Sequence, residues 1–507
     1  MYQQPDGWTE ESDRFPVVPM TTMLELAADA ARRVHPGVVV GYDDVRALRW
    51  LAVEPATRIE VTARPEGPGR VRVALGDCAS VVVVLAERYP APPAPDRTGL
   101  RDPGPAPVSA EALYRDRWMF HGPGFAGVHE VSAVGADGIR GVLRALPAPG
   151  ALLDAAGQLF GHWMQLRLPV DRLVFPASVE RITVFGPHPA SGRLVRATAR
   201  IREVRDLTVR GDVELSGTDD GTVWARIDGW TYRRFAADER VWPMKFTPEV
   251  CGIGEPQPGG WCAARRRWTD PASQELVMRR YLGAAERTAY ERLSPRARPA
   301  WLLGRIAAKD ALRQLLWDGG AGPVFPAEVP VGNDPTGRPV PLGGRAHGFR
   351  LSLAHKDRVA VALAHRTDPV GIDVEAVPSD PAALVRVALG PGELRLAERI
   401  AAGSGTGPAA AFTALWCAKE AAAKAEGSGI GGRPRDWAVV DVPAADSLLV
   451  VSPAGRRHLV RTSVLHPLHG PAGEHIVAWT DVPAPEAAPS TLSSIDRFPV
   501  TEASHGI

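Results

Sequence analysis

Stretches dense in proline and glycine, at Tyr89–Val108 and Ala236–Cys262, partition this chain and limit what each part can fold into. Proline lacks a backbone donor and fixes φ, so neither stretch can continue a helix or a central strand. The second carries Pro243, Pro248, Pro256 and Pro258 and reads as a connector between domains. A length of 507 residues gives room for two to four domains with sizeable cores. In the first block, Pro19–Arg33 has apolar residues at helical spacing and stops before His35-Pro36-Gly37. Strand-like runs follow at Val38–Tyr42, Ile59–Ala63, Val71–Ala74 and Val81–Leu85. The next block repeats this order. After the turn-rich His121–Phe125 come a strand, a helix over Leu153–Leu166, and strands at Leu173–Phe175, Arg193–Val204, Asp212–Leu215 and Val223–Arg234. Strands wrapped round one helix, occurring twice, predict two similar α+β layers. Beyond the connector the pattern is mixed α/β, with helices near Gln274–Leu282, Ala300–Trp317 and Ala409–Ala425. Pro483–Ile507 has little to pack and is expected to be a disordered tail.

Bulk chemistry removes several function classes. With 59 Lys plus Arg against 58 Asp plus Glu, nothing suggests a nucleic-acid coat or a polybasic membrane anchor. The four cysteines, Cys78, Cys251, Cys262 and Cys417, form no C-x-x-C and no zinc spacing with histidine, and a reducing cytosol is the simplest compartment. Met1–Trp8 is polar and does not read as a signal peptide. No apolar run approaches the roughly 20 residues of a membrane helix.

The chemistry-bearing residues lie mostly in the C-terminal part. In Gly371-Ile372-Asp373-Val374-Glu375, strand alternation puts Asp373 and Glu375 on one face and Ile372 and Val374 on the other. Adjacent carboxylates repel and call for a cation, and oxygen-only ligands suit Mg2+. By itself D-x-E reads equally as a solvated pair on a strand face. In Trp416-Cys417-Ala418-Lys419-Glu420-Ala421-Ala422-Ala423-Lys424, Glu420 and Lys424 share a helix face. They are either an ordinary i,i+4 pair or a third metal carboxylate beside a lysine that handles phosphate or a proton. Trp301–Arg313 puts Arg305 and Lys309 one turn apart, with Gly337-Arg338-Pro339 and Ser352-Leu353-Ala354-His355-Lys356 downstream. Each alone is a solvated basic face; together they supply donors for a phosphorylated ligand.

The order G-R-x-A-A-K, G-R-P, S-L-A-H, G-I-D-V-E, W-x-x-K-E-A-x-x-K resembles the 4'-phosphopantetheinyl transferase superfamily, of the larger pseudo-dimeric type. The last two signatures stand about 45 residues apart in the family's order, and the resemblance covers about 210 residues. It implies a Mg2+-dependent enzyme that moves the phosphopantetheine arm of coenzyme A onto a serine of an acyl-carrier protein. By the same resemblance Asp373, Glu375 and Glu420 are the metal carboxylates. Lys424 contacts phosphate or assists deprotonation of the serine, with Glu420 the competing base. Arg305, Lys309, Arg338, His355 and Lys419 are the coenzyme A contacts. Family members bury this site between two α/β halves, here roughly 268–370 and 371–481. Cys417 reads as core packing.

In the N-terminal half, Tyr114 to Phe125 ends in His121-Gly122-Pro123-Gly124-Phe125, and Leu152-Leu153-Asp154-Ala155-Ala156-Gly157-Gln158 opens a helix. Asp154 on its own reads as an N-cap. Together the segments resemble the second hotdog of polyketide-synthase dehydratases, and Pro16–Pro19 with the following helix resembles the first. The resemblance implies that Asp154 protonates a departing β-hydroxyl. Counting back from Pro19 puts Glu10 where the family has its basic histidine and Arg14 where it has glycine. That loss predicts an impaired dehydratase, since a general base contributes about 10²–10⁴-fold. His121 and His162 belong to other parts of the pattern and receive no role.

The expected fold class is therefore α+β: a double-hotdog dehydratase-like domain followed by a pseudo-dimeric α/β transferase domain. The expected divisions are a truncated first hotdog at 1–104, a second at 105–236, a linker at 237–267, the transferase at 268–482 and the tail at 483–507. The order resembles the C-terminal end of large iterative type I polyketide synthases, enediyne-type ones included. A start in mid-hotdog fits a split gene or a start assigned inside a longer reading frame. The alternatives are a synthase fragment that dehydrates or binds β-hydroxyacyl carrier intermediates, and a non-catalytic carrier-binding scaffold.

Overall fold

The computed structural model describes residues 16–404, 407–468 and 473–481. The expectations for Met1–Trp8, Glu10, Arg14 and the tail lie outside those residues. The chain divides into two compact units. The first holds the described residues up to Glu255, with Ala264–Asp310 and Phe325–Gly332; the second holds Pro256–Ala263, Ala311–Val324 and the described residues from Asn333 on.

The first unit is built on α1 (Met20–Arg32), β1 (Val38–Ala47), β2 (Val61–Pro65), β3 (Arg70–Leu75), β4 (Ala79–Ala86), α2 (Ala110–Arg115), β5 (Val128–Val134), β6 (Gly138–Arg144), α3 (Ala151–Arg167), β7 (Leu173–Val184), β8 (Leu194–Val204), β9 (Thr208–Gly217) and β10 (Val223–Phe235). Its ten strands form one antiparallel sheet, in the order β2-β3-β4-β1-β7-β10-β9-β8-β6-β5. The expected repeat is visible in it. α1 packs on β2–β4 and α3 on β5–β7, and the two half-sheets join where β1 pairs with β7 (Gly41↔Thr183, Val45↔Val179). α1 buries one stripe, Met20, Met23, Leu24, Ala27, Ala28 and Ala31, as its 3.6-residue period dictates. α3 is buried nearly all round, so it is the hydrophobic axis that the second half-sheet wraps. Gly150, at φ +79°, is the N-cap of α3, and a Cβ there would stand 2.5 Å from the Thr21 backbone. Only glycine lets the starts of α1 and α3 meet this closely. Asp154 is therefore not the N-cap expected from sequence. It lies in the first turn, where the helix dipole favours a carboxylate.

The rest of the chain runs through β11 (Glu255–Pro256), β12 (Trp261–Arg265), α4 (Pro271–Tyr281), α5 (Ala284–Glu291), α6 (Arg298–Asp318), β13 (Val331–Asn333), β14 (Pro339–Pro341), β15 (Arg350–Lys356), β16 (Val359–His365), β17 (Ile372–Ala376), α7 (Ala382–Ala388), α8 (Pro391–Ser404), α9 (Pro408–Glu426), β18 (Ala438–Ala444), β19 (Ser447–Val451), β20 (Arg457–Leu465) and β21 (His475–Thr480). In the second unit a five-stranded sheet has the order β17-β21-β20-β19-β18. One face, with Val450, Val460, Ile476 and Ala478, packs with alanine-rich α9. The other, with Ile372, Val374, Val477 and Trp479, packs with Trp261 and with Val361 and Leu363 of β16.

A buried clamp occurs twice in the C-terminal part of the chain. In the first unit the Lys309 ammonium is wholly buried, 2.6 Å from Glu286 and 2.9 Å from the Pro326 carbonyl. Glu286 accepts in turn from the amides of Gly283 and Val331. In the second unit Lys419 is wholly buried against Glu393 (2.8 Å) and donates to the carbonyls of Pro434 and Ala388. Glu393 accepts from the amides of Gly390 and Val439. Lysine, glutamate, proline carbonyl and two amides recur in the same order, which is the pseudo-dimeric character expected of this region. The finding also corrects the expectation that Lys309 and Lys419 contact coenzyme A. Each is committed to a buried ion pair, and removing one member of such a pair typically costs about 3–5 kcal/mol.

Candidate active site

The site in the second unit is set by how closely α9 lies on β17. A Cβ on Gly371 would come within 1.8 Å of the Ala421 carbonyl oxygen. Glycine before I-D-V-E and small residues at Ala418, Ala421 and Ala422 are what this approach requires. The register then follows the sequence reading. Ile372 and Val374 enter the core away from α9, and Asp373 and Glu375 lie opposite Ala478 and Ile476 of β21, on the helix side. Lys424 donates to Asp373 Oδ1 at 2.7 Å and to the Ile372 carbonyl at 3.2 Å, tying the helix to the strand. Lys356, at the end of β15, sits 2.6 Å from Glu375 Oε2. Sequence reasoning gave Lys356 no separate role; it follows His355 in the S-L-A-H-K run.

The site perturbs the ionisation of Glu420. The Glu420 carboxyl is pushed above its ordinary range, first by burial and then by the negative charge of Asp373, with a smaller contribution from Glu375 against the opposing pull of Lys424. Asp373 is 6 % exposed, and its Oδ2 is buried without a hydrogen-bond partner. An orphaned carboxylate oxygen beside a carboxyl that resists ionising is a fitting surround for a hard cation. Among the described residues, however, no three such groups stand close enough together to hold a metal as they are. The ammonium groups of Lys424 and Lys356 neutralise Asp373 and Glu375 instead. Cys417 is fully buried, with its thiol 3.5 Å from the Ile476 carbonyl. Burial and the neighbouring carboxylates push its pKa up, in keeping with a packing role.

The other expected residues are more scattered. Arg338 lies against Gly427, just past α9, and lines a cleft of about 740 Å3 with Arg350, Arg456, Arg457 and His458. His355 is exposed on β15. Arg305 is 4 % exposed, with its guanidinium 4.5 Å from the Trp301 ring centroid and its pKa lowered by burial. It is enclosed in the first unit rather than presented as a surface donor.

In the first unit, Asp154 Oδ2 accepts from Gln158 Nε2 at 2.7 Å and lies 3.2 Å from His121 Nε2. Gln158 Oε1 accepts from the Tyr114 hydroxyl at 2.7 Å, and that hydroxyl accepts from the Val128 amide. The residue sequence reasoning passed over is thus His121, brought to Asp154 by the turn between α2 and β5. The H-G-P-x-F and L-L-D-x-x-x-Q runs stand out together in the sequence, so the signal was there, though not the contact. His162 is buried, packed edge-on against Trp118, and burial lowers its pKa to about 4. It packs, and takes no part in the Asp154 network.

The described residues include no helix long and apolar enough to cross a membrane. Comparison with known proteins agrees with both halves of this description. A family model for the 4'-phosphopantetheinyl transferase superfamily matches residues 369–479, and one for the polyketide synthase dehydratase N-terminal domain matches residues 92–240. A holo-[acyl-carrier-protein] synthase of Exiguobacterium sibiricum is 33% identical over 89 residues, which cover 18% of this chain and 70% of that protein. A polyunsaturated fatty acid synthase polypeptide of a Thraustochytrium species is 26% identical over 201 residues, 34% of this chain, and the chain spans only 7% of that polypeptide. Among solved structures, the dehydratase domain of a mycocerosic acid synthase-like polyketide synthase aligns at 21% identity and TM-score 0.36, over 44% of this chain and 83% of that one. The chain belongs to the 4'-phosphopantetheinyl transferase superfamily.

Proposed function

We propose that the second unit transfers the 4'-phosphopantetheine group of coenzyme A to a serine hydroxyl of an acyl-carrier protein, in a Mg2+-dependent reaction serving polyketide biosynthesis. The observation that carries this reading is the unpartnered, buried Oδ2 of Asp373 beside the hard-to-ionise carboxyl of Glu420. Asp373, Glu375 and Glu420 would hold the metal. When bound, Mg2+ supplies charge neutralisation for the pyrophosphate of coenzyme A and the departing 3',5'-ADP. Lys424 and Lys356 neutralise two of these carboxylates and turn to phosphate oxygens once a ligand takes their place. Lys424 would contact phosphate or assist deprotonation of the serine, and Glu420, directly or through water, is the competing base. Arg338, in a cleft whose arginines alternate with Asp334, Asp368, Glu426 and Asp481, is a further candidate donor to the nucleotide phosphates, with His355 another.

The test is the intact mass of a purified apo carrier incubated with the full chain, coenzyme A and Mg2+. A gain equal to one phosphopantetheine arm, lost on chelation, is expected. Carriers that bind the protein yet gain no mass would end the catalytic reading.

A further inference from the structure

We infer that the first unit binds a primary organic ammonium ion, with Glu25 as its counter-ion, in a cavity at the junction of the two half-sheets. The cavity is about 380 Å3 and shares no lining residue with the cavities beside Asp154. Glu25 of α1 and Val39 and Tyr42 of β1 line it from the first half, and Leu153 of α3, Val184 of β7 and Trp224 of β10 from the second. This volume falls among those of small-molecule pockets, which start at about 300 Å3.

Three oxygen-bearing side chains meet this cavity without a protein partner. Tyr42 is 4% exposed, yet among the described residues its hydroxyl makes no hydrogen bond. The Tyr89 hydroxyl and the Glu25 carboxyl, on the same wall, likewise make none. Buried polar groups are nearly always bonded, so a hydroxyl left open against a cavity marks a place for a ligand. The Glu25 carboxyl is pushed above its ordinary range by burial, against the pull of His188 and Arg32. Burial, and then the negative charge of Glu25, push the Tyr42 hydroxyl up in turn, so the two groups share one local field. Arg32 does not answer that charge, because its guanidinium is paired with Asp29 at 2.8 Å. A primary ammonium answers it with one positive charge and three N–H groups, one for each of the three oxygens. An anion would instead add to the charge of Glu25.

The rest of the wall suits an organic body on that ammonium. Tyr42, Tyr89 and Trp224 offer aromatic surface, which attracts a cation, and Val39, Leu153 and Val184 offer apolar surface. The walls are also tied to one another. Thr22 donates to the Pro149 carbonyl at 2.9 Å, which holds α1 to the turn before α3. Trp224 Nε1 donates to the Pro187 carbonyl at 2.9 Å, and His188 packs edge-on against the Trp224 ring, which fixes the loop after β7. An ion held here touches both half-sheets, so its binding stabilises their junction.

The test uses the full chain and 2-phenylethylammonium, titrated by calorimetry at neutral pH beside the neutral 2-phenylethanol and the anionic 3-phenylpropanoate. Saturable one-to-one binding of the ammonium is expected, at least about tenfold tighter than of either other probe, with a rise in melting temperature. Glu25→Gln should weaken the ammonium by about tenfold or more and leave 2-phenylethanol unaffected, and Tyr42→Phe should weaken the ammonium by about threefold. The comparison of probes is made on wild type, so it needs no variant to fold. Equal affinity for the three probes, no saturable binding of the ammonium, or full affinity in Glu25→Gln would overturn the inference. Neither coenzyme A nor a carrier enters this assay, so its outcome is independent of the transferase.

Discussion

The two transferase halves carry the same buried clamp and use it for different ends. Lys309 and Lys419 occupy equivalent places, each against a glutamate that also caps two amides. One residue further on, the halves part company. Asp310 is satisfied by the Tyr281 hydroxyl and the Gly254 amide, both at 2.8 Å, and is a structural acceptor. Its counterpart Glu420 is made harder to ionise first by burial and then by the negative charge of Asp373, with Glu375 adding less. Five residues past each clamp lysine stand Gln314, bonded to Asp318 within its own helix, and Lys424, bonded across to Asp373. The duplicated part secures the fold, and the unduplicated part gathers charge. Ionisable groups perturbed by burial and by like charge cluster at functional sites.

The largest effect expected from this contrast is on activity. Asp373→Ala or Glu420→Ala should abolish carrier modification, by at least about 10³-fold in the intact-mass assay, because each removes a carboxylate the metal needs. Next come the clamps. Lys309→Met and Lys419→Met should each destabilise the chain by about 3–5 kcal/mol in denaturant unfolding, by stranding a buried glutamate. Near-equal losses would sharpen the comparison, and a loss at only one of them would break it. Gly371→Ala should cost about 1–3 kcal/mol by forcing α9 off β17, and transfer should weaken with it.

The smallest effect is a pH dependence at Glu420. Its folded pKa lies above the unfolded value, so the protonated form is the one the fold favours. Its contribution is fully present below the unfolded pKa and is lost as pH rises through the folded one. Glu420→Gln should therefore raise the melting temperature of the metal-free protein at neutral pH. That gain should shrink to nothing on acidification below the ordinary glutamate range.

Local pattern made much of this legible. The stripe on α1, the apolar axis of α3 and the register of β17 all follow from periodicities of 3.6 and 2. The three carboxylates and Lys424 were readable because G-I-D-V-E and K-E-A-x-x-K are compact. The burial of Lys309 and Lys419 was not. On a helical wheel each looks like part of a solvated basic or i,i+4 face, while its partner glutamate lies 23 or 26 residues away in the preceding helix. Leu282-Gly283-Ala284-Ala285-Glu286 and Leu389-Gly390-Pro391-Gly392-Glu393 repeat L-G-x-x-E ahead of each lysine, and that repeat was the available signal. His121 escaped for the same reason, since its partner is reached only through a turn and a hairpin.

The division between shared clamp and unshared chemistry is tested most directly by the rate of carrier mass gain for wild type, Lys424→Ala and Gln314→Ala, run side by side. Wild type and Gln314→Ala should modify the carrier at similar rates, and Lys424→Ala should fall by about 10²-fold or more. Equal losses at the two positions, or none at Lys424, would contradict the assignment of the chemistry to β17 and α9.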